Sequence, residues 1–363
     1  MNQEFNKMNE EIEGIAKDED ASWGDYPIDT VLIRNENRTV HDVLRRIEKG
    51  SFVMDPDFQR DFIWPIDKQS KLIESVLMRI PLPVFYLAEN NRGQMIVVDG
   101  LQRLSTFQRF ANNNFPLKLP DQIELHGKYF SDLSPKLQNR IEDCGLILYV
   151  IDAKVPAKAL LDIFDRVNSG IPLTRQQMRN SLYTGPATKF LRDEAASELF
   201  KKATGGSLKH ETMRDRELIN RFCAFALYGY QYYKGDMDIF LAEALVYMNT
   251  MPEMHFARLS NAFRSSLRSS IFIFGKHAFR KHYSEDQARS VFNASLWDVM
   301  TTTFCRYPES VLEAHAEAIK DCFYELLLNS DFNDSITLGT NQPNRVLTRF
   351  AMFEAMLEEI IND

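Results

Sequence analysis

Apolar positions along the chain change their spacing several times, and each change marks an element. Val40, Val43, Leu44 and Ile47 fall at helical spacing and predict a helix over 40–48. The stretch 52–65 is aromatic and punctuated by proline, which predicts an extended loop holding a short strand. Asp67 opens a second helix, apolar at Leu72, Ile73, Val76 and Leu77, and Ile80-Pro81-Leu82-Pro83 stops it. Runs 84–88 and 95–98 read as strands around a turn at 90–93. After Asp99-Gly100 a helix carrying Leu104, Phe107 and Phe110 runs to the cluster Asn112-Asn113-Asn114. Ser134-Pro135 starts another helix, because the N–H that proline lacks would be unpaired there anyway. A third strand is expected over 146–151 and a helix over 157–167, followed by a loop at Asn168-Ser169-Gly170. Thr174 and Gln177 have the form of a capping box. From about 187 to 329 nearly every segment is helical with aromatic stripes, and a helix over 344–361 closes the chain. The expected fold class is α+β: an acidic tail over 1–25, an α/β domain over 26–185 and a mainly helical domain over 186–363.

Composition narrows the class. With 363 residues, 44% hydrophobic and 26% charged, the chain is globular and long enough for two domains. No apolar run approaches the ~18 residues that span a bilayer. The first residues are polar and acidic, unlike a signal peptide, so a cytoplasmic protein with no membrane partner is expected. Cys144, Cys223, Cys305 and Cys322 form no Cys-x-x-Cys and read as buried thiols. The net charge of −8 is uneven: residues 1–25 carry −6 and 353–363 carry −4, leaving the body at +2. A nucleic-acid partner is therefore compatible with the acidic pI.

The sharpest chemical feature is the run from Met95 to Thr106, an apolar strand ending in Asp99-Gly100 and a helix opening with Gln102 and Arg103. A carboxylate at a strand end holds Mg²⁺ or orients a water. Gly100 has no Cβ to block close approach of a ligand. A helix N-terminus offers amides to an anion, and Arg103 adds a planar fork suited to phosphate. Together these parts suit a phosphate ester. Taken alone, the same residues also read as a turn with a capping Asp and a surface salt bridge. Two further stretches add polar groups: Gln59-Arg60 between Phe58 and Trp64, and Asn168 in a loop before the capped helix.

The order of these blocks resembles the N-terminal domain family of GmrSD-type restriction endonucleases, which is similar in fold to ParB and sulfiredoxin and has a DGQQR hallmark. The blocks cover about residues 28–185. The run Ile336-Thr337, Gly339-Thr340-Asn341, Arg345 and Arg349-Phe350 resembles the end of single-domain members. The resemblance implies a domain that binds and hydrolyses an NTP (GTP or ATP) with Mg²⁺ in bacterial defence against modified or foreign DNA. Asp99, Gly100, Gln102 and Arg103 match the hallmark, Gln59 and Arg60 an upstream Gln-Arg, and Asn168 a later Asn. The implied roles put Mg²⁺ or the attacking water on Asp99 and phosphate charge on Arg103 and Arg60. Gln59, Gln102 and Asn168 orient phosphates or water. Arg103→Ala is expected to abolish nucleotide binding with little loss of stability. Leu101 departs from the hallmark, standing where it has its first Gln, and an apolar residue there packs the helix on the sheet.

What is missing matters as well. The seven histidines contain no paired set for an HNH nuclease, and His277 and His282 are five apart, so they do not share a helix face. Lys276-His277 and Lys281-His282 read as parts of a basic surface. Neither a Walker A pattern nor GxGxxG is present. Nuclease activity is not expected from this chain alone, so a partner nuclease is. The basic stretch 255–289 carries +5 and includes Arg264, Arg268, Lys276, Arg280 and Lys281. It reads as a grip on DNA phosphates or as a solvated face. The expected function is a nucleotide switch acting on DNA or a partner, with a homodimer as the symmetric default. The rival readings are a DNA-binding or partner-binding module with a degenerate nucleotide site, and a ParB-like nuclease domain.

Overall fold

The computed structural model describes residues 12–13, 32–54, 64–90, 93–167, 174–206, 208 and 212–362. The chain forms two compact units, one from 22–182 and the other from 1–21 with 183–363.

In the first unit a five-stranded sheet has the order β1-β5-β3-β4-β2. Its strands are β1 (Ile33–Thr39), β2 (Phe52–Val53), β3 (Phe85–Glu89), β4 (Met95–Asp99) and β5 (Gly145–Ile151). β1 is antiparallel to β5 and β3 to β4, while β3 runs parallel to β5 and β2 to β4. The alternation of a strand divides the apolar side chains between two faces. Phe85, Leu87, Val97, Leu146, Leu148 and Val150 bury on one face against α1 (Val40–Glu48), α2 (Ile66–Leu77), α3 (Leu101–Ala111) and α4 (Pro135–Glu142). Ala88, Val98 and Ile151 bury on the other against α5 (Ala157–Val167) and α6 (Arg175–Leu182).

Local chemistry sets the helix ends. Thr39 caps α1 by accepting from the Asp42 N–H, and Pro135 occupies the first turn of α4. The capping box before α6 forms: the Thr174 amide donates to Gln177 Oε1, and the Gln177 amide to Thr174 Oγ1.

The second unit is helical: α7 (Pro186–Ala195), α8 (Glu198–Thr204), α9 (Arg214–Tyr228), α10 (Met237–Met248), α11 (Glu253–Phe274), α12 (Ala294–Phe304), α13 (Glu309–Ala314), α14 (Ala316–Leu328), α15 (Ser330–Thr337) and α16 (Pro343–Asn362). Its core is aromatic, with Phe222, Phe263 and Trp297 fully buried, and the Trp297 indole N–H donates to the Leu218 carbonyl at 2.8 Å. The aromatic stripes of the sequence are this core. Ile12 packs on it, and Glu13 pairs with the chain at Asn293. No described helix is long and apolar enough to cross a membrane. Of the four cysteines only Cys223 is fully buried, and the other three are half-buried.

Candidate functional site

β4 delivers Asp99 to the edge of the larger core, and the chain turns at once into α3. Gly100 makes that turn at φ +100°, and a Cβ there would lie 2.3 Å from the Phe85 ring. Only glycine fits, because the left-handed backbone and the neighbouring ring both exclude a side chain. Among the described residues no side chain caps α3, and its first internal bond runs from the Leu104 amide to the Gly100 carbonyl. The amides of Leu101 and Arg103 precede that bond and have no acceptor within the helix.

Arg103 is 8% exposed and bonds inward. Its Nη2 donates to Asp99 Oδ2 at 2.7 Å and to the Val84 carbonyl at 3.1 Å, and Nη1 donates to the Pro83 carbonyl. The guanidinium also lies 4.2 Å from the centre of the Phe85 ring. Burial pushes its pKa down, and the Asp99 carboxylate opposes that shift. Asp99 is one-third exposed, and its second oxygen, Oδ1, has no partner among the described residues. Gln102 Oε1 accepts from the Trp64 amide at 3.0 Å, which ties the start of α2 to the turn. Lys68 lies over the Trp64 ring at 4.3 Å. Leu101, the departure from the hallmark, packs against the larger core. The turn is thus a carboxylate half-bonded among the described residues, at a helix start, held by an arginine that is already engaged.

Residues 40–184 match the model of the GmrSD restriction endonuclease, N-terminal domain. This segment of the chain carries a GmrSD-type N-terminal domain. The family is one of restriction and anti-phage systems. No curated protein matches the chain.

Within the GmrSD domain the structure brings Asp99, Gly100, Gln102 and Arg103 together. Gln59, Arg60 and Asn168 lie outside the described residues. Sequence reasoning missed Phe85 and the Pro83 and Val84 carbonyls. The available signal was the Ile80-Pro81-Leu82-Pro83 stop just before a strand, and the pairing of Tyr86 with Asp99 brings it to the motif.

The five basic residues of the helical unit do not form one surface. Arg264 and Arg268 project from α11, but each meets a carboxylate: Arg264 Nε is 3.0 Å from Glu194, and Arg268 forks onto Glu309 at 2.6 and 2.8 Å. Arg280 is fully buried and donates to the Ser290 and Thr204 carbonyls, so it belongs to the interior. Lys281 bonds Glu13 and Thr337, while Lys276 is exposed. His277 and His282 are also corrected, since both are buried and stacked 4.6 Å apart rather than on a basic surface. The reason is Gly275, whose φ of +52° ends α11 and turns residues 276–282 away from its face.

Proposed function

We propose that the GmrSD domain binds a nucleoside triphosphate at the turn between β4 and α3. Its hydrolysis switches the chain's contact with DNA or with a partner nuclease. The observation that carries this reading is the Asp99 carboxylate, half-bonded among the described residues, at a helix start behind a glycine that admits close approach. Anions bind at helix starts through the free amides of the first turn. Gln59, Arg60 and Asn168 complete the phosphate contacts in this reading.

The donor set fits Mg²⁺ in one way only. Among the described residues no three His, Cys, Asp or Glu side chains are grouped to hold a metal. Magnesium usually takes one or two carboxylates and completes its shell with substrate phosphates and water. Asp99 Oδ1 would hold it, and the bound ion supplies charge neutralisation on the phosphates. Arg103 is a positioning residue here: its bonds to Asp99, Pro83 and Val84 fix the carboxylate and leave it poorly placed to reach a phosphate itself.

The test is phosphate release from ATP and from GTP with Mg²⁺, comparing wild type with Asp99→Asn. That variant keeps an oxygen for Arg103, so its melting temperature should stay close to wild type. Turnover should fall by at least about 100-fold. Unchanged turnover would remove Asp99 from the chemistry. Nucleotide binding without turnover in the wild type would favour the rival reading, a sensor or binding module, which the engaged Arg103 and the packed Leu101 also suit.

A further inference from the structure

Away from the Asp99 turn, the first unit has a cleft of about 500 Å³ between the end of α2, the segment 80–82 and α4. Ile80, Pro81 and Leu82 give it an apolar wall, and Arg79, Lys136, Asn139 and Arg140 line it with donors. Lys136, Asn139 and Arg140 recur at helical spacing on α4, so they share one face. Asp143 is the acid among the lining residues, which leaves the cleft at net +2.

None of the three cations in the cleft is paired with a carboxylate among the described residues. Arg34, Arg38, Arg45, Arg46 and Arg103 of the same unit are each paired with a carboxylate. Among the described residues the Arg79 guanidinium and the Lys136 ammonium have no ion pair, hydrogen bond or ring contact. Arg140 uses Nη1 on the Leu77 carbonyl and has no carboxylate partner.

Arg79 also sits at a backbone position that disfavours it. α2 ends with the Ile80 amide donating to the Ser75 carbonyl and the Arg79 amide to the Val76 carbonyl, both at 2.9 Å. This is the Schellman pattern, in which glycine usually takes the left-handed position. Here Arg79 takes it at φ +61°. A strained residue that keeps a long cation at the lip of a cleft calls for a use of that cation.

We propose that this cleft is a phosphodiester-binding groove that seats a DNA strand across Arg79, Lys136 and Arg140. The cleft is open to solvent, which suits a chain lying along it better than a small ligand enclosed by it. The cations neutralise backbone phosphates, and the apolar wall receives sugar or base surface. The groove rests on the DNA part of the preceding reading and is independent of the nucleotide part.

The experiment uses the full chain and fluorescein-labelled single-stranded and duplex DNA, with anisotropy followed over a salt series. Arg79→Gly and Lys136→Ala should each weaken binding. Each should also reduce the slope of log affinity against log salt by about 0.7–0.9 for every phosphate that is no longer neutralised. Arg79→Gly should at the same time raise the melting temperature, because glycine takes the left-handed position without strain. Weaker binding by a more stable protein separates direct engagement of DNA from misfolding. Lys71→Ala, on α2 outside the cleft, should leave the slope unchanged. An unchanged slope in both Arg79→Gly and Lys136→Ala overturns the groove, as does an equal weakening in Lys71→Ala. Displacement of DNA by inorganic phosphate at constant ionic strength would also overturn it, assigning the cleft to small phosphate esters. Phosphate release should be normal in the cleft variants and at least about 100-fold lower in Asp99→Asn, so either proposal can fail without the other.

Discussion

The guanidinium of Arg103 makes three hydrogen bonds inside its own unit and lies over the Phe85 ring. Truncation would leave two carbonyls and a carboxylate without their donor. Hydrogen bonds to charged groups are worth about 1.5–3 kcal/mol each in context, and the released groups regain part of that from water. Arg103→Ala is therefore expected to destabilise the GmrSD domain by about 2–3 kcal/mol, read as a lower urea midpoint. This replaces the sequence-based expectation of little stability loss. A midpoint equal to wild type would mean that these bonds do not hold the 83–85 segment. The motif itself was legible at this scale, since a strand ending in Asp-Gly before a helix puts Asp99 and Arg103 one turn apart. What stayed hidden was the occupation of Arg103. Its other partners are backbone atoms 19 and 20 residues upstream, and only the β3–β4 pairing brings them near.

Between α11 and α12 the chain carries a stacked pair of imidazoles. His282 is 1% exposed, and its ring meets Phe274, Phe323 and Tyr324 edge-on or tilted. His277 Nδ1 is buried with no hydrogen-bond partner among the described residues. Burial pushes the His282 pKa down. His277 and Lys320 add to that shift, while the Arg280 carbonyl and Glu285 oppose it. The unfolded chain thus binds this proton at a higher pH than the folded one, near the ordinary value of about 6.5. The associated stability is present above that pH and is lost as the pH falls through the folded pKa. The urea midpoint of the helical unit should therefore drop between pH 7.5 and pH 5, and His282→Gln should flatten the drop. An equally steep drop in that variant would place the titrating group elsewhere. The sequence showed the histidines as basic punctuation because their helical spacing gives no hint of stacking. A break at Gly275 is what turns both rings inward.

Across the whole molecule, the strand runs and aromatic stripes made the division into an α/β part and a helical part legible, because periodicity survives without tertiary information. The contribution of the first residues was not. Their charge and lack of apolar spacing suggested a tail, yet Ile12 packs on the helical core. Glu13 bonds Lys281 at 2.7 Å and Asn293 at 3.0 Å through its two carboxylate oxygens. Its backbone also exchanges bonds with Phe292 and Ala294. One carboxylate and one bridge leave no pattern in a sequence. Glu13→Ala is expected to cost about 1–3 kcal/mol in the helical unit and nothing in the α/β unit. Hydrogen exchange read by unit is the check: faster exchange confined to residues near 281–294 is expected, and unchanged exchange there would rule the contact out as an anchor. The separation of these partners also bears on how the chain is made. Glu13 and Asn293 stand 280 residues apart. At a synthesis rate of about 5–20 residues per second, Glu13 is added to the chain about 14–56 s before Asn293. The GmrSD domain ends at residue 184, so it has only about 5–22 s of that interval to fold by itself, and the contact that joins the first residues to the helical unit waits until Asn293 is made.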